Sequence, residues 1–454
     1  MQLSFHGACR EVTGSCHLLQ GASKNILIDC GMFQGAQFAE EKNADRFTFD
    51  PVTIDVVLLT HAHMDHCGRL PKLFKEGYRG KIYATPATRD FAEIMLLDSA
   101  RVIKEEAASH GHEPLYTGED VVALMKHFEI IDYHKQTEVL PGVTVTAHDA
   151  GHILGSCFFE IIITEGQEKK TIVFSGDLGN PPAPIVRDTE VCAGADVVIM
   201  ESTYGNRVHE PAETRVQLLR QAIIDTVKRG GVLMIPAFSL ERTQEVLYEL
   251  NGLVEQGLIP RLPIFVDSPL AIRALEIYRR FQNTFDIESR KLIHAGDDLF
   301  AFQGLKYTYT VEESKLINDV PSPKVVLAGS GMCNGGRIVH HLRRYLGDPK
   351  SHVLIISYQP EGSVGRKLLS GAHEVTIMEE LVRVRASASA IGSYSSHADQ
   401  PKLLAWVAGM HAPKPQQVFL VHGEPEAQQA LADALQKQGG SDVIIPEYHK
   451  TYTV

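Results

Sequence analysis

The 454-residue sequence has few cysteines and no paired ones. Its seven, Cys9, Cys16, Cys30, Cys67, Cys157, Cys192 and Cys333, are odd in number and show no CxxC spacing. That excludes a disulfide frame and argues for reduced, mostly buried thiols. No run approaches the ~20 apolar residues a membrane helix needs, and "MQLSFHGACREVTG" lacks the basic-then-apolar layout of a signal peptide. The expectation is a cytoplasmic protein with no membrane partner. Excess positive charge is also missing: 44 Lys+Arg against 56 Asp+Glu give a formal charge of −12. Global attraction to nucleic acid is thereby excluded, and any polyanion site must be a local basic or metal-rich cleft. Low-complexity tracts are absent, and linkers rich in Pro and Gly do not mark the domain boundaries.

With 44% hydrophobic and 22% charged residues, the chain reads as a soluble globular protein long enough for two to three domains. Short apolar runs that end in polar residues or glycine, "CHLLQ", "NILIDCG" and "DVVLLTH", read as buried strands. "GRLPKLFKEGY" and "ATRDFAEIMLLDSARVIKEEAASH" have helical spacing, and "GVTVTAHDAGH", "CFFEIIITE", "TIVFSGDLG" and "DVVIMESTYG" form a second strand group. From about residue 207 helix and strand alternate strictly, as in "ETRVQLLRQAIIDTVKRGG", "VLMIPAF", "ERTQEVLYELNGLVEQG" and "LPIFVDSP". Such alternation predicts a parallel doubly wound sheet. The tail returns to strands that end in histidines. The expected organisation is α/β, one domain (1–206 and 376–454) split by another (207–375).

Function is concentrated in "LLTHAHMDHCGRL", where His61, His63, Asp65 and His66 fall within six positions. The apolar strand ends at Thr60, so His61 and His63 stand at its mouth on one side, and Asp65 and His66 project from the turn into the next helix. Two neighbouring pairs of N and O ligands suit two borderline divalent ions such as zinc. Six positions cannot close two sites, so further ligands must come from other strand ends. His152 in "DAGHILGS", Asp177 in "IVFSGDLGN" and His422 in "VFLVHGEPE" each follow an apolar run beside glycine.

The ordered set His61-x-His63-x-Asp65-His66, His152, Asp177 and His422 resembles the metallo-β-lactamase fold, with Asp29 of "ILIDCG" as the first motif. "ESTYG" at 201–205, "SYSSHAD" at 393–399 and "LVHGE" at 420–424 are similar to motifs A, B and C of the β-CASP nucleases. The likeness runs from "GACREVTGSCHLL" to His422, nearly the whole chain. It implies an αββα sandwich with an inserted β-CASP clamp that covers the metals and admits a single strand. It further implies two zinc ions per chain, with manganese as a substitute. His61, His63 and His152 would hold one, and Asp65, His66 and His422 the other. Asp177 would bridge them with a hydroxide between, and Asp29 would orient a ligand from behind. His397, held by Glu201, would be the general acid that protonates the leaving ribose oxygen. A histidine at motif C, His422, points to RNA rather than DNA.

Two glycine-rich turns, "VVLAGSGMCNGGR" and "YQPEGSVGR", each follow a strand and precede a helix. Ser330, Gly331, Gly335, Gly336, Arg337 and Arg366 are therefore candidate RNA phosphate contacts, with Arg242 and Lys367 beside them. Neither turn is a Walker or dinucleotide fingerprint. The expected activity is a zinc-dependent ribonuclease acting on single-stranded RNA, with endonucleolytic and 5′-exonucleolytic modes both open and a homodimer as a candidate state. The alternatives are another hydrolase of the fold, a lactonase, thioesterase or β-lactamase, and a non-catalytic RNA-binding subunit. The first lacks the clamp and the Glu201–His397 pair; the second would have lost ligands that this chain keeps. Against its relatives the chain is expected to be the minimal nuclease core, without a KH module or an added C-terminal domain.

Overall fold

The structure is a computed structural model that describes residues 1–35, 39–359 and 362–454. The chain divides into two compact units, one of residues 1–181, 188–208 and 396–454 and the other of residues 182–187 and 209–395. No helix among the described residues is long and apolar enough to cross a membrane.

In the first unit two seven-stranded sheets share one core. One runs in the order Thr451–Thr453, Gln2–Phe5, His17–Gly21, Lys24–Ile28, Val56–Leu58, Lys81–Ala84 and Phe128–Ile130. The other runs Asp442–Ile444, Gln417–Val421, Val197–Glu201, Glu168–Phe174, Cys157–Glu165, Val143–Asp149 and Thr137–Leu140. Period-two patterning places one row of each sheet in that core: Ile26 and Ile28 from the first, Val143, Val145, Phe159, Ile161, Ile172 and Phe174 from the second. Each fully buried side chain of this size contributes about 1.5–3 kcal/mol. Val197–Glu201 is buried throughout because both its faces are covered. Val197 and Ile199 enter the shared core, while Val198 and Met200 pack with Leu403, Trp406 and Leu431 of the helices Gln400–Ala408 and Pro425–Gln438. On the first sheet's side lies the long helix Pro86–His110, opened by the Thr85 side chain, which accepts from Thr88 N–H, and closed by Gly111 in the left-handed region. The expected αββα sandwich is therefore present.

The second unit carries a six-stranded sheet in the order Leu305–Tyr307, Ile264–Asp267, Lys324–Ala328, Val232–Pro236, His352–Ile355 and Ser387–Ala390, every pairing parallel. Its four central strands are buried throughout, as a parallel sheet covered on both faces requires. Residues 376–395 were expected to rejoin the first unit but cluster with the second. Ser387–Ala390 adds to His352–Ile355 as the sheet's edge strand, and Glu374–Ile377 folds back on Glu380–Arg383 as a hairpin.

Candidate metal centre

Strand Val56–Leu58 delivers the chain to His61, and His63 caps the short helix Met64–Cys67 from which Asp65 and His66 project. The turn packs tightly against the segment after Lys24–Ile28: Cys30 N–H donates to His66 C=O at 2.8 Å, and a Cβ on Gly31 would sit 1.6 Å from the Asp65 carbonyl oxygen. Only glycine permits this approach, which brings Asp29 under His66. On the other sheet, Gly176 at φ +53° turns the chain at the end of Glu168–Phe174, where a Cβ would meet Thr60 at 2.8 Å. That turn aims Asp177 at the histidines.

The resulting cluster lies wholly within the first unit. His61 Nε2 is 3.2 Å from His63 Nδ1, which is 3.1 Å from His152 Nε2. Asp177 Oδ2 lies 3.4 Å from His61 Nε2 and 3.5 Å from His152 Nε2. Its other oxygen, Oδ1, lies 3.3 Å from His66 Nε2 and 3.7 Å from His422 Nδ1, and Asp65 Oδ2 is 3.4 Å from His422 Nε2. One carboxylate thus stands between a three-histidine group and a second group of Asp65, His66 and His422.

A ring of hydrogen bonds fixes these side chains. Asp29 accepts from Thr60 N–H and Thr60 Oγ1–H, each at 2.8 Å, and from His66 Nδ1 at 2.7 Å. Thr60 Oγ1 is 3.1 Å from His61 Nδ1, His152 Nδ1 faces the Ser396 carbonyl at 3.3 Å, and Thr203 Oγ1 lies 3.1 Å from His422 Nδ1. With a proton on Nδ1, assigned from these partners, His61, His66 and His152 all turn an Nε2 lone pair inward. Thr60, Thr203 and Ser396 were not among the residues expected from sequence, although each lies within two positions of one that was.

Electrostatics follow from burial. Desolvation pushes His63 down to about 3, with His61 adding to the effect, and carries His152 well below its ordinary value, so both imidazoles are neutral. Burial also disfavours ionised Asp177, yet His422, His66 and His61 hold its carboxyl well below the usual carboxylate range. Burial opposes a charged His66 as well, but Asp177 and Asp29 outweigh it and raise its pKa well above the ordinary value. Neutral His63 and His152 beside an ionised carboxylate are protonation states that metal ligation uses, and at His66 a bound ion would take the place of the Nε2 proton.

Metal ions fit this donor set. His66 Nε2 and both carboxylate oxygens of Asp177 are buried without a hydrogen-bond partner among the described residues, a costly arrangement unless something else satisfies them. Three imidazole nitrogens within 3.1–3.2 Å of their neighbours approach the spacing of about 3.3 Å set by nitrogens on one tetrahedral ion. The site is built for divalent metal.

Beside the cluster, His397 Nδ1 is 3.2 Å from both oxygens of Glu201, which also accepts from Leu178 N–H at 2.8 Å. Burial opposes a charged His397, but Glu201 and Asp177 outweigh it and raise its pKa to about 9.

The expected phosphate contacts lie in the second unit, and two of their guanidinium groups are already engaged. Arg337 Nη1 pairs with Asp267 at 2.7 Å and reaches the Thr308 carbonyl at 3.0 Å, while Nη2 reaches the Tyr309 carbonyl at 3.0 Å. Arg242 is buried and ion-paired with Glu245. Ser330 N–H donates to Gly335 C=O, the Gly331 carbonyl accepts from Ser357 and Gln359, and Gly336 packs against the Gly329 carbonyl. Arg366 and Lys367 are exposed; Pro360 and Glu361 of their turn lie outside the described residues.

Comparison with known proteins agrees with this geometry. Residues 18–178 match a metallo-beta-lactamase superfamily domain, residues 243–368 a Beta-Casp domain, and residues 381–446 a Zn-dependent metallo-hydrolase RNA specificity domain. A ribonuclease of Thermus thermophilus is 42% identical over 97% of both chains. A transcription termination factor of Methanosarcina mazei is 33% identical over 95% of this chain and 68% of its own length, and that of Methanocaldococcus jannaschii is 31% identical over 98% and 70%. The fold is shared with a crystal structure of a protein of unknown function from Enterococcus faecalis V583, at a TM-score of 0.55 and 14% identity, covering 100% of this chain and 99% of that one. The chain belongs to the β-CASP subgroup of the metallo-β-lactamase superfamily nucleases.

Proposed function

We propose that this chain is a zinc-dependent ribonuclease that hydrolyses phosphodiester bonds of single-stranded RNA at a two-ion centre. His61, His63 and His152 would hold one ion and Asp65, His66 and His422 the other, with Asp177 shared. Ions held there would lower the pKa of a bound water and neutralise the phosphate, the chemistry that phosphodiester hydrolysis demands. Asp29 and Thr60 keep His66 and His61 in the ligating tautomer. His397 directs Nδ1 to Glu201, so its Nε2 edge can carry a proton to the departing ribose oxygen. The observation that carries the reading is the division of Asp177, one oxygen toward each ligand group. It is supported by the ribonuclease relative from Thermus thermophilus, 42% identical across nearly the whole chain.

The test is incubation of the purified protein with RNA labelled at either end, single-stranded or in duplex, beside a β-lactam and a thioester. Metal-dependent cleavage of the single strand well above the other substrates is expected; internal fragments from a 5′-blocked strand would establish endonucleolytic action. Comparable turnover of the ester or lactam would favour a small-molecule hydrolase, and RNA binding without cleavage a non-catalytic subunit.

A further inference from the structure

A second cluster of metal-ligating side chains lies outside the centre described above, also within the first unit. His134, His148 and Glu190 bring one ligand atom each to within 4.8 Å of one another. His134 Nε2 is 2.9 Å from both Glu190 oxygens, and His148 Nδ1 is 3.7 Å from Glu190 Oε2. The far nitrogen of His148, Nε2, is 3.0 Å from Glu160 Oε2, and its ring stacks on Phe158 at 4.8 Å and 11°. This imidazole is held from behind by a carboxylate and clamped flat by an aromatic face, the arrangement that fixes ring direction and basicity at metal sites. Glu190 is anchored too: its N–H donates to the Asp149 carbonyl at 3.0 Å, its side chain accepts from Asp149 N–H at 3.2 Å, and its carbonyl accepts from Trp406 Nε1 at 2.8 Å.

We propose that His134 Nε2, His148 Nδ1 and the Glu190 carboxylate form a further, solvent-accessible zinc site. Two imidazole nitrogens and one carboxylate suit zinc, and the partial exposure of His134 and Glu190 leaves the fourth position to water. The site also braces the catalytic centre. His134 N–H donates to the Ala147 carbonyl, and Thr189 beside Glu190 donates to the Ala150 carbonyl. An ion here would tie the segments of His134 and Glu190 to the stretch 147–152, which carries His148 and ends in His152.

The test compares wild type with His134→Ala, a change at an exposed side chain, at matched micromolar free Zn2+ set by a chelator buffer, with the fold of both checked by circular dichroism. Wild type should bind one more zinc per chain than the variant, a difference independent of how many ions the main centre holds. With the main centre of both proteins already loaded with zinc, further Zn2+ should raise the Tm of wild type and leave that of His134→Ala unchanged over the same range. Glu160→Gln keeps all three ligands and should weaken the extra site about ten- to hundredfold. Equal zinc counts in wild type and His134→Ala overturn the site; unaltered affinity in Glu160→Gln overturns His148 as its Nδ1 ligand.

Discussion

His397 faces Glu201 squarely: its Nδ1 is equidistant, at 3.2 Å, from the two carboxylate oxygens of a glutamate with no exposed surface. The carboxylate cannot serve solvent or substrate and acts on this imidazole alone among the acid–base groups proposed. His397→Ala should leave the metal content unchanged while lowering turnover by about 10²–10⁴. The loss should shrink on a phosphodiester with a better leaving group, which needs less protonation. Glu201→Gln should give a milder form of the same defect. Loss of a metal from His397→Ala, or an equal slowing of both substrates, would make the residue a ligand or a positioning group instead.

Thr60 ties together the ends of two neighbouring strands of the first sheet, those that lead to Asp29 and to His61, without occupying the cluster's centre. Its hydroxyl donates to Asp29 and lies against His61 Nδ1, so one side chain sets the direction of two histidines. Thr60→Val preserves shape and removes this link. Metal affinity measured against a competing chelator should fall about ten- to hundredfold with the fold retained; unchanged affinity would show that Asp29 alone suffices.

The parts of the site that could be read in the sequence are those in which local structure dictates geometry. His61, His63, Asp65 and His66 occupy a strand end and the first turn of a helix, where spacing fixes direction; Asp177 and His422 follow apolar strands beside glycine. The edge strand Ser387–Ala390 was illegible because it is short, small-residued and largely exposed, with no apolar row to mark it. Arg337 and Arg242 look like phosphate ligands in a linear reading because the carboxylates that engage them are tertiary or helical neighbours. For Arg337 the partner, Asp267, lies 70 positions away. The group His134, His148 and Glu190 is dispersed over three segments and carries no spacing signal at all.

Asp267 carries a prediction about the inserted unit. It receives His341 Nε2, Arg337 Nη1, Thr308 Oγ1 and Ser314 Oγ, all at 2.7 Å. Burial opposes its charge, but these donors, led by His341, hold its pKa at about 2. A carboxyl depressed in the folded state stabilises fully above its ordinary pKa near 4 and loses that contribution as pH falls toward 2. Asp267→Asn should therefore cost about 1–3 kcal/mol at neutral pH, and the gap from wild type in urea midpoints should narrow between pH 4 and 2. A gap that stays constant across that window would remove the ionised carboxylate from the explanation.

The two-ion centre itself is tested most directly by returning Zn2+ to the metal-free His134→Ala protein while following both bound zinc and cleavage of a single-stranded RNA. His134→Ala removes the outlying site from the count. Activity should rise to its plateau only as the second equivalent binds, and Asp177→Ala should retain at most one ion and lose cleavage by at least about a hundredfold, since the shared carboxylate offsets the repulsion of two close cations. Full activity with a single equivalent bound, or an Asp177→Ala protein that keeps two ions and normal turnover, would contradict the account.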